Sequence, residues 1–207
     1  NEILASLYYY LVKYRGLKGD IVKNLATSNL VDKVAEKLGF KCHEVDVGFK
    51  NISSTIKKYD ALIGGESSGG LTIRNYIFGK DSTFSSALFL EMVANLNKPV
   101  SQIIKEVKDF ANFHYVILED QMNYKDKEYI LNCCKEKQPK FTYKIAKEIH
   151  LNNNYKYYFE DGSWALLRFS GTERVIRIFV EMPNYEDAKE NVLIIKDFVN
   201  ELESVGV

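Results

Sequence analysis

The sequence predicts two consecutive domains of different class: an α/β domain with a mostly parallel or mixed sheet, and then a smaller α+β domain with an antiparallel sheet and packed helices. Up to about residue 110, short apolar strands alternate with helices of about ten residues, a spacing typical of crossover connections between parallel strands. Between 155 and 182, strand-like runs follow one another directly. A chain of 207 residues is long enough for two small cores. We therefore expect domains at 1–110 and 111–207.

Each element of the first domain has a local signal. Short apolar runs between turn residues predict strands at 21–26, 42–47 and 61–63. Apolar residues at helical spacing predict helices at 2–15, 30–38, 48–59, 82–97 and 101–108. Gly16 and Gly39 stand where helices stop, and Asp81, Ser82 and Ser101 stand where N-caps are expected.

The second domain is predicted to begin with a strand at 114–118 and a helix at 125–135. Asp161-Gly162 is a tight-turn signal between the strand-like runs 157–159 and 164–169, which indicates an antiparallel hairpin. An amphipathic helix at 187–202 closes the chain. Strands joined by turns and followed by a helix favour an antiparallel sheet with helices packed on it.

The composition is that of a globular protein and narrows the possible partners. The 28 basic and 28 acidic residues cancel, which argues against a nucleic-acid partner because phosphate-backbone affinity needs a basic surplus. No apolar run is long enough to span a bilayer, and the first residues do not resemble a signal peptide. Three cysteines without framework spacing favour a reducing compartment. We therefore expect a cytoplasmic protein with no nucleic-acid or membrane partner.

Arginine is rare in this chain and unevenly placed. Only five of the 28 basic residues are arginine, and three of them, Arg168, Arg174 and Arg177, lie close together. In a chain that otherwise uses lysine, an arginine is favoured where its planar, bidentate guanidinium is needed. This cluster is the first indication of a binding site.

A glycine-rich segment is the first candidate loop. Residues 64–70, Gly-Gly-Glu-Ser-Ser-Gly-Gly, follow a buried strand where open α/β sheets place ligands, and glycines allow a close backbone approach. Glu66 offers a bidentate carboxylate and Ser68 a hydroxyl, which suits vicinal sugar hydroxyls. The segment is neither a Walker loop nor a dinucleotide fingerprint. The alternative is a flexible surface loop without a ligand.

The second candidate loop joins two strand-like runs. It is formed by residues 168–174, Arg-Phe-Ser-Gly-Thr-Glu-Arg. Backbone N–H groups around Gly171, flanked by the hydroxyls of Ser170 and Thr172, can form an anion-binding nest. Arg168 can add a bidentate contact to a phosphate. The alternative is a hairpin turn whose serine and threonine satisfy their own backbone, with the arginines on a solvated strand face.

A lysine at a helix start is the third candidate. Lys50 follows Gly48-Phe49, where the helix dipole disfavours a cation, so an anionic ligand is one reason to keep it there. The abundance of lysine makes this signal weak by itself. The histidines lie far apart, and the adjacent Cys133 and Cys134 lack further ligands nearby, so no metal site is expected.

Together these segments resemble the α-D-phosphohexomutase family of phosphoglucomutases, phosphomannomutases and their relatives. Residues 65–70 resemble its sugar-recognition loop, usually Gly-Glu-Glu/Met-Ser-Gly, and residues 168–173 its phosphate-binding loop, usually Arg-Pro-Ser-Gly-Thr-Glu. Lys80-Asp81 resembles the Lys-Asp-Gly that begins the helix after the sugar loop, and Gly48-Phe49-Lys50 resembles a Gly-aromatic-Lys segment of the same cleft. The order and spacing of these motifs extend over almost the whole chain.

The sequence departs from the family pattern at four loop positions, where it has Ser67 for Glu or Met, Ser82 for Gly, Phe169 for Pro and Arg174 for Pro. The phosphoserine loop of the family's first domain and the Asp-x-Asp-x-Asp-Arg metal loop of its second domain are not found. Residues 26–29, Ala-Thr-Ser-Asn, lack the His-Pro context of the phosphoserine loop. The resemblance is therefore to the third and fourth domains, the C-terminal half, with the N-terminal domains of the same polypeptide as expected partners.

The resemblance implies an enzyme that interconverts hexose 1-phosphate and hexose 6-phosphate. In the family a phosphoserine donates its phosphoryl group, hexose 1,6-bisphosphate is the intermediate, and Mg²⁺ acts at the reacting phosphate. By the same resemblance, the sugar would be bound by Glu66, Ser68 and Lys50. The non-reacting phosphate would be bound by Arg168, Ser170, Gly171 and Thr172. The chain by itself, with no catalytic serine and no metal ligand, is expected to be an inactive recognition half. Residues 66–68, Glu-Ser-Ser, do not indicate which of the glucose, mannose and glucosamine phosphates is the substrate.

Two other hypotheses remain open at this point. A stand-alone sugar-phosphate-binding or anion-binding module would have a native start codon at residue 1 and no catalytic loops upstream. A nucleic-acid module built on the C-terminal sheet would bind polynucleotides in a salt-sensitive way, and the neutral net charge speaks against it.

Overall fold

The computed structural model describes residues 1–205, and their backbone divides into two compact units. The first is Asn1–His114, and the second begins at Tyr115. Residues 206 and 207, with which the predicted second domain ends, lie outside the described residues. Each unit has one sheet of its own.

The first unit alternates helices with short strands, as crossover connections require. Its strands are β1 (Ile21–Asn24), β2 (Cys42–Val45), β3 (Ile63–Gly65) and β4 (Leu71–Ile73). Its helices are α1 (Glu2–Lys13), α2 (Leu30–Leu38), α3 (Phe49–Tyr59), α4 (Ser82–Leu96) and α5 (Val100–Ala111). The strand order is β2-β1-β3-β4, in which β1 pairs in parallel with β2 and β3 while β4 runs antiparallel to β3. The sheet is therefore mixed, which confirms the predicted class.

Local signals explain most of the helix ends. Gly39 ends α2 in the left-handed conformation, with a φ of 80° that glycine adopts without strain. Asp81 caps α4 by accepting a hydrogen bond from the Phe84 N–H at 3.0 Å. The predicted cap at Ser101 is wrong, because α5 begins at Val100 directly after Pro99. Proline suits a helix start because it has no backbone N–H to leave unpaired.

Helices pack on both faces of this sheet, and two glycines of β3 let them approach closely. A Cβ atom built on Gly64 would lie 2.6 Å from Cγ2 of Ile52 in α3. One built on Gly65 would lie 2.9 Å from Cδ1 of Leu4 in α1, on the opposite face because successive strand residues alternate in direction. Both glycines therefore have a role in helix–sheet packing.

Gly64→Ala is expected to lower the free energy of unfolding by about 1–3 kcal/mol, the usual cost of overpacking a core. The added methyl group has no room, because atoms of Ile52, Ile56 and Val22 surround the position within 3.1 Å. Gly79→Ala is the matched control, since a Cβ built there has no heavy atom of residues 1–205 within 4 Å apart from Gly79 itself and its two chain neighbours. Urea unfolding of both variants measures the difference, and equal stability would contradict the packing role.

The second unit contains an antiparallel sheet with two helices. Its strands are β5 (Val116–Asn123), β6 (Ile145–Leu151), β7 (Asn154–Phe159), β8 (Trp164–Phe169) and β9 (Val175–Met182), and its helices are α6 (Lys127–Glu136) and α7 (Tyr185–Val205). The strand order is β5-β9-β8-β7-β6. Alternate residues of the strands, such as Ala165 and Leu167 in β8, share one core with residues of α6 and α7. The predicted α+β class is thereby confirmed.

The strand predictions differ from the structure in three places. β4 was not predicted, because it has only three residues and follows the glycine-rich turn. β6 was not predicted either, because most side chains of this edge strand are exposed and lack the apolar alternation of a half-buried strand. The strand predicted at 114–118 is β5, which begins at Val116 and extends to Asn123. The predicted Asp161-Gly162 turn does join β7 to β8.

Candidate functional site

Residues 66–70, which we call the Glu66 loop, form the turn between β3 and β4. The Glu66 N–H donates to the Gly70 carbonyl at 2.9 Å, and the Gly69 N–H donates to the Glu66 carbonyl at 3.0 Å. Gly69 has a φ of 97°, which closes the turn without the strain that a side chain would add. Because β3 runs parallel to β1, the loop lies at the carboxyl ends of the parallel strands, where open α/β sheets form ligand crevices.

The carboxylate of Glu66 is buried and held by a partner on each oxygen. The residue is 6% exposed. Its Oε1 accepts a hydrogen bond from Nδ2 of Asn24 at 3.2 Å, and its Oε2 forms an ion pair with Nζ of Lys80 at 2.6 Å. An ionised carboxylate has about four lone-pair sites, so two partners leave acceptor capacity for two further donors. The carboxylate is therefore fixed in direction and still able to bind.

Lys80 connects the Glu66 loop to the start of α3. Its methylene groups cover Gly70 so closely that a Cβ atom built there would lie 2.8 Å from Cδ of Lys80. Its ammonium group lies 5.5 Å from the ring centroid of Phe49, within the range of a cation–π contact. Glycine at position 70 therefore makes room for the lysine that neutralises Glu66.

The other partner of Glu66, Asn24, is itself held at the end of β1. Its Oδ1 accepts hydrogen bonds from the Ala26 N–H at 3.1 Å and from Oγ1 of Thr27 at 2.8 Å. These contacts orient the amide so that its Nδ2 faces Glu66. Sequence reasoning missed Asn24, although its place at the carboxyl end of a buried parallel strand was a usable signal.

Lys23, the residue before Asn24, is fully buried and supports the same segment. Its Nζ donates to Oδ1 of Asn29 at 2.8 Å and pairs with the carboxylates of Asp32 and Glu44. Burial opposes the charge on Lys23, but the attraction of Asp32 and Glu44 outweighs it and raises the pKa of this lysine above its usual value. The lysine therefore remains charged and holds the loop after β1 in place.

The remaining sugar-site predictions, Ser68 and Lys50, lie on exposed positions of this unit. Ser68 is at the tip of the Glu66 loop. Lys50 is in the first turn of α3, directly after Phe49, whose ring contacts Lys80. The structure thus joins Glu66, Lys80 and Phe49 by direct contacts, and Lys50 is the next residue after Phe49 in the chain.

Residues 170–174, which we call the Ser170 loop, connect β8 to β9. The Ser170 N–H donates to the Val175 carbonyl at 2.9 Å. Oγ of Ser170 accepts hydrogen bonds from the backbone N–H groups of Thr172 at 3.4 Å and Glu173 at 3.2 Å. Gly171 and Thr172 are exposed, whereas Ser170 is buried. The Ser170 hydroxyl therefore accepts hydrogen bonds from backbone N–H groups of its own turn, as the hairpin alternative predicted. Both of these N–H groups point toward the same hydroxyl oxygen.

Two side chains close to the start of α6 donate hydrogen bonds to backbone carbonyls of the Ser170 loop. Nζ of Lys127 donates to the Ser170 carbonyl at 3.0 Å. The hydroxyl of Tyr124 donates to the Glu173 carbonyl at 3.2 Å. Neither residue was identified from the sequence, because both contacts join positions more than forty residues apart.

Two arginines of neighbouring strands occupy facing positions close to this loop. Arg168 of β8 and Arg177 of β9 are directly opposite each other in the antiparallel register. Their row continues to Asn154 in β7 and Gln121 in β5. Like charges in directly opposite positions are destabilising unless a counter-charge is near. Glu173 pairs with Arg177 at 3.2 Å, and a bound anion would stabilise the pair further.

No metal site is associated with either loop. Among residues 1–205, no group of three or more His, Cys, Asp or Glu side chains could hold a metal ion, so the magnesium implied by the family resemblance does not fit a ligand set here. Cys133 and Cys134 lie in α6. Burial, together with the nearby Cys133, raises the pKa of the Cys134 thiol to about 12.

Among residues 1–205, no helix has the length and apolar character needed to cross a membrane.

Known proteins match this chain over both units. Residues 1–110 match the family model described as phosphoglucomutase/phosphomannomutase, alpha/beta/alpha domain III, and residues 133–196 match that of the C-terminal domain. The phosphoglucomutase/phosphomannomutase of Thermococcus kodakarensis is 32% identical over 172 residues, which are 83% of this chain and 36% of the relative. The phosphoglucosamine mutase of Methanocaldococcus jannaschii is 29% identical over 191 residues, 92% of this chain and 41% of the relative.

A solved structure agrees at the level of the fold. The crystal structure of a phosphoglucomutase/phosphomannomutase family protein from Burkholderia thailandensis has a TM-score of 0.69, with 98% of this chain and 41% of its own chain covered at 18% identity. The chain spans about two fifths of the length of the curated relatives it matches. With the Glu66 loop inside the first family match and the Ser170 loop inside the second, this chain belongs to the phosphoglucomutase/phosphomannomutase family and corresponds to its domain III and C-terminal domain.

Proposed function

We propose that this chain is the substrate-recognition part of a phosphohexomutase, an enzyme that interconverts hexose 1-phosphate and hexose 6-phosphate. The observation that carries the proposal is the buried Glu66 carboxylate, which Asn24 and Lys80 hold at the carboxyl ends of the parallel strands. A carboxylate fixed in this way presents its remaining lone pairs in a constant direction. Two neighbouring hydroxyls of a hexose ring are the donors that such a group suits best.

We assign the sugar contacts to residues around this carboxylate. Glu66 would accept hydrogen bonds from two ring hydroxyls, and Ser68 would exchange one with a neighbouring hydroxyl. Lys50 would add positive charge close to an anionic substrate. Lys80 keeps the net charge around Glu66 near zero, which matters because a lone carboxylate would repel a phosphorylated sugar.

We assign the phosphate contacts to Arg168 and the Ser170 loop. Arg168 would form a bidentate contact with the phosphate that does not react, and the loop would donate hydrogen bonds from the hydroxyls of Ser170 and Thr172 and from the Gly171 N–H. Gly171 has no side chain to cover these donors, and a Cβ built there has no heavy atom of residues 1–205 within 4 Å apart from Gly171 itself and its two chain neighbours. Arg177, opposite Arg168 in the sheet, strengthens the positive potential that a phosphate dianion would neutralise.

In the complete enzyme, a phosphoserine of another domain would transfer its phosphoryl group to the free hydroxyl of the bound hexose monophosphate. The phosphorus–oxygen bond to serine breaks, a new one forms at the sugar, and the hydroxyl proton passes to a base, which gives hexose 1,6-bisphosphate. After the intermediate reorients, the other phosphoryl group returns to the serine. Mg²⁺ would stabilise negative charge at the reacting phosphate, with ligands supplied from outside the residues described here.

A comparison of two polypeptides tests this proposal. The polypeptide translated from the complete reading frame is expected to interconvert the 1- and 6-phosphates of glucose, mannose or glucosamine in the presence of Mg²⁺. The 207-residue chain is expected to bind these hexose phosphates in calorimetric titrations, not to bind the unphosphorylated sugars, and to show no turnover. Turnover by the 207-residue chain alone, or no mutase activity of the complete polypeptide on any of the three sugars, would refute the proposal.

A further inference from the structure

Helix α4 has an exposed face without charged residues, on which Leu90 is the largest side chain. Of the fifteen residues of this helix, only Leu88 and Met92 are buried. Leu90 is 65% exposed. The one charged residue of α4 is Glu91, and its carboxylate has two partners. The hydroxyl of Tyr10 donates a hydrogen bond to it at 2.7 Å, and the guanidinium of Arg15 donates another. A helix that faces water usually carries charged residues on its outer side, so this composition is typical of a covered helix.

A groove runs along this face and reaches the Glu66 loop. We call it the α4 groove, and its volume is about 380 Å³. Its lining residues are Ile3, Gly69, Leu71, Ser82, Ser85, Ser86, Phe89 and Leu90. Every one of them is uncharged, although 27% of the residues of the chain are charged. Exposed apolar surface of this kind marks an interaction site.

We propose that the α4 groove is the docking surface for an apolar face of the domain that precedes domain III in the complete polypeptide. The match to a domain numbered III implies preceding domains in this family, and the chain accounts for only about two fifths of the length of its relatives. An uncharged groove is the surface that loses least by desolvation when another part of such a polypeptide packs against it.

The position of the groove in the fold supports this occupant. Ile3, in the first turn of α1, forms one wall and is 48% exposed, so a polypeptide that leads into α1 passes directly beside the groove. Gly69 of the Glu66 loop lies at the same groove. A domain docked here would border the loop to which we assign sugar binding. The statement that the docked domain borders the sugar site rests on the proposed function. The docking itself is tested by stability and labelling, which do not depend on catalysis.

Leu90→Lys tests the docking by stability. In the 207-residue chain this variant is expected to keep the wild-type Tm, because the side chain is exposed. In the polypeptide translated from the complete reading frame it is expected to lower the Tm, because a charge would be buried in an apolar interface without a partner. Leu193→Lys on α7 is the matched control, since Leu193 is 51% exposed, and it is expected to leave both Tm values unchanged.

Thiol labelling provides a second measurement that needs no loss of stability. A maleimide is expected to label Leu90→Cys about tenfold more slowly in the complete polypeptide than in the 207-residue chain, after subtraction of the wild-type cysteine background. Equal labelling rates and an unchanged Tm would overturn the proposal. So would a 207-residue chain that sediments as a dimer and that Leu90→Lys converts to a monomer, because the occupant would then be a second copy of this chain.

Discussion

Arg168→Ala is expected to lower kcat/KM of the complete enzyme for hexose phosphates by about ten- to a hundredfold and to leave the second unit folded. A charge-assisted hydrogen bond contributes roughly 1.5–3 kcal/mol, which corresponds to this range of affinity. Folding should persist because the side chain of Arg168 is only partly buried and does not belong to the core of the second unit. Steady-state kinetics with glucose 1-phosphate and mannose 1-phosphate, together with thermal unfolding, measure both effects.

Two further variants make this prediction specific. Arg168→Lys keeps the charge but loses the bidentate fork, so its kcat/KM should lie between those of the wild type and Arg168→Ala. Arg15→Ala is the control, because Arg15 pairs with Glu91 on the surface of the first unit, and its kinetics should equal those of the wild type. Wild-type KM and turnover in Arg168→Ala would remove Arg168 from the phosphate site.

Glu66→Gln is expected to lower kcat/KM by a similar factor, about ten- to a hundredfold, because the variant replaces a charged acceptor of sugar hydroxyls with a neutral one. Lys80→Met should reduce both activity and stability. It leaves the buried Glu66 carboxylate with Asn24 but without a counter-charge, and this uncompensated charge also repels the phosphate of the substrate. Kinetics and urea unfolding of the two single variants provide the measurements.

The double variant separates the charge balance from sugar binding. Glu66→Gln combined with Lys80→Met should be more stable than Lys80→Met alone, since no unpaired carboxylate remains. Its kcat/KM should nevertheless stay as low as that of Glu66→Gln. Lys57→Met is the control, because Lys57 lies over the ring of Phe78 at 4.2 Å and should affect activity little. If Lys80→Met is as active and stable as this control, Lys80 does not neutralise Glu66 in the way we infer.

The sequence was sufficient to predict the two domain classes and both loops. Helix ends depend on residues within one turn, so Gly39 and Asp81 could be located from their neighbours alone. The loops were found because Glu66 and the Arg168 cluster combine unusual side chains with glycines over a few positions. The same local rules failed where the signal was ambiguous, as at Ser101, or where an exposed edge strand such as β6 has no apolar alternation.

The tertiary structure decided what those loops contact. Asn24 and Glu66 are 42 positions apart in the sequence, and only the parallel pairing of β1 with β3 brings their side chains to 3.2 Å. Gly64 looked like part of a binding loop, but the closeness of α3 explains why a glycine stands there. Local sequence sets conformational preference within a few residues, whereas the partner of a buried charge depends on which strands pair. The fold and the loops could therefore be predicted from the sequence, and the partners of Glu66 required the packed chain.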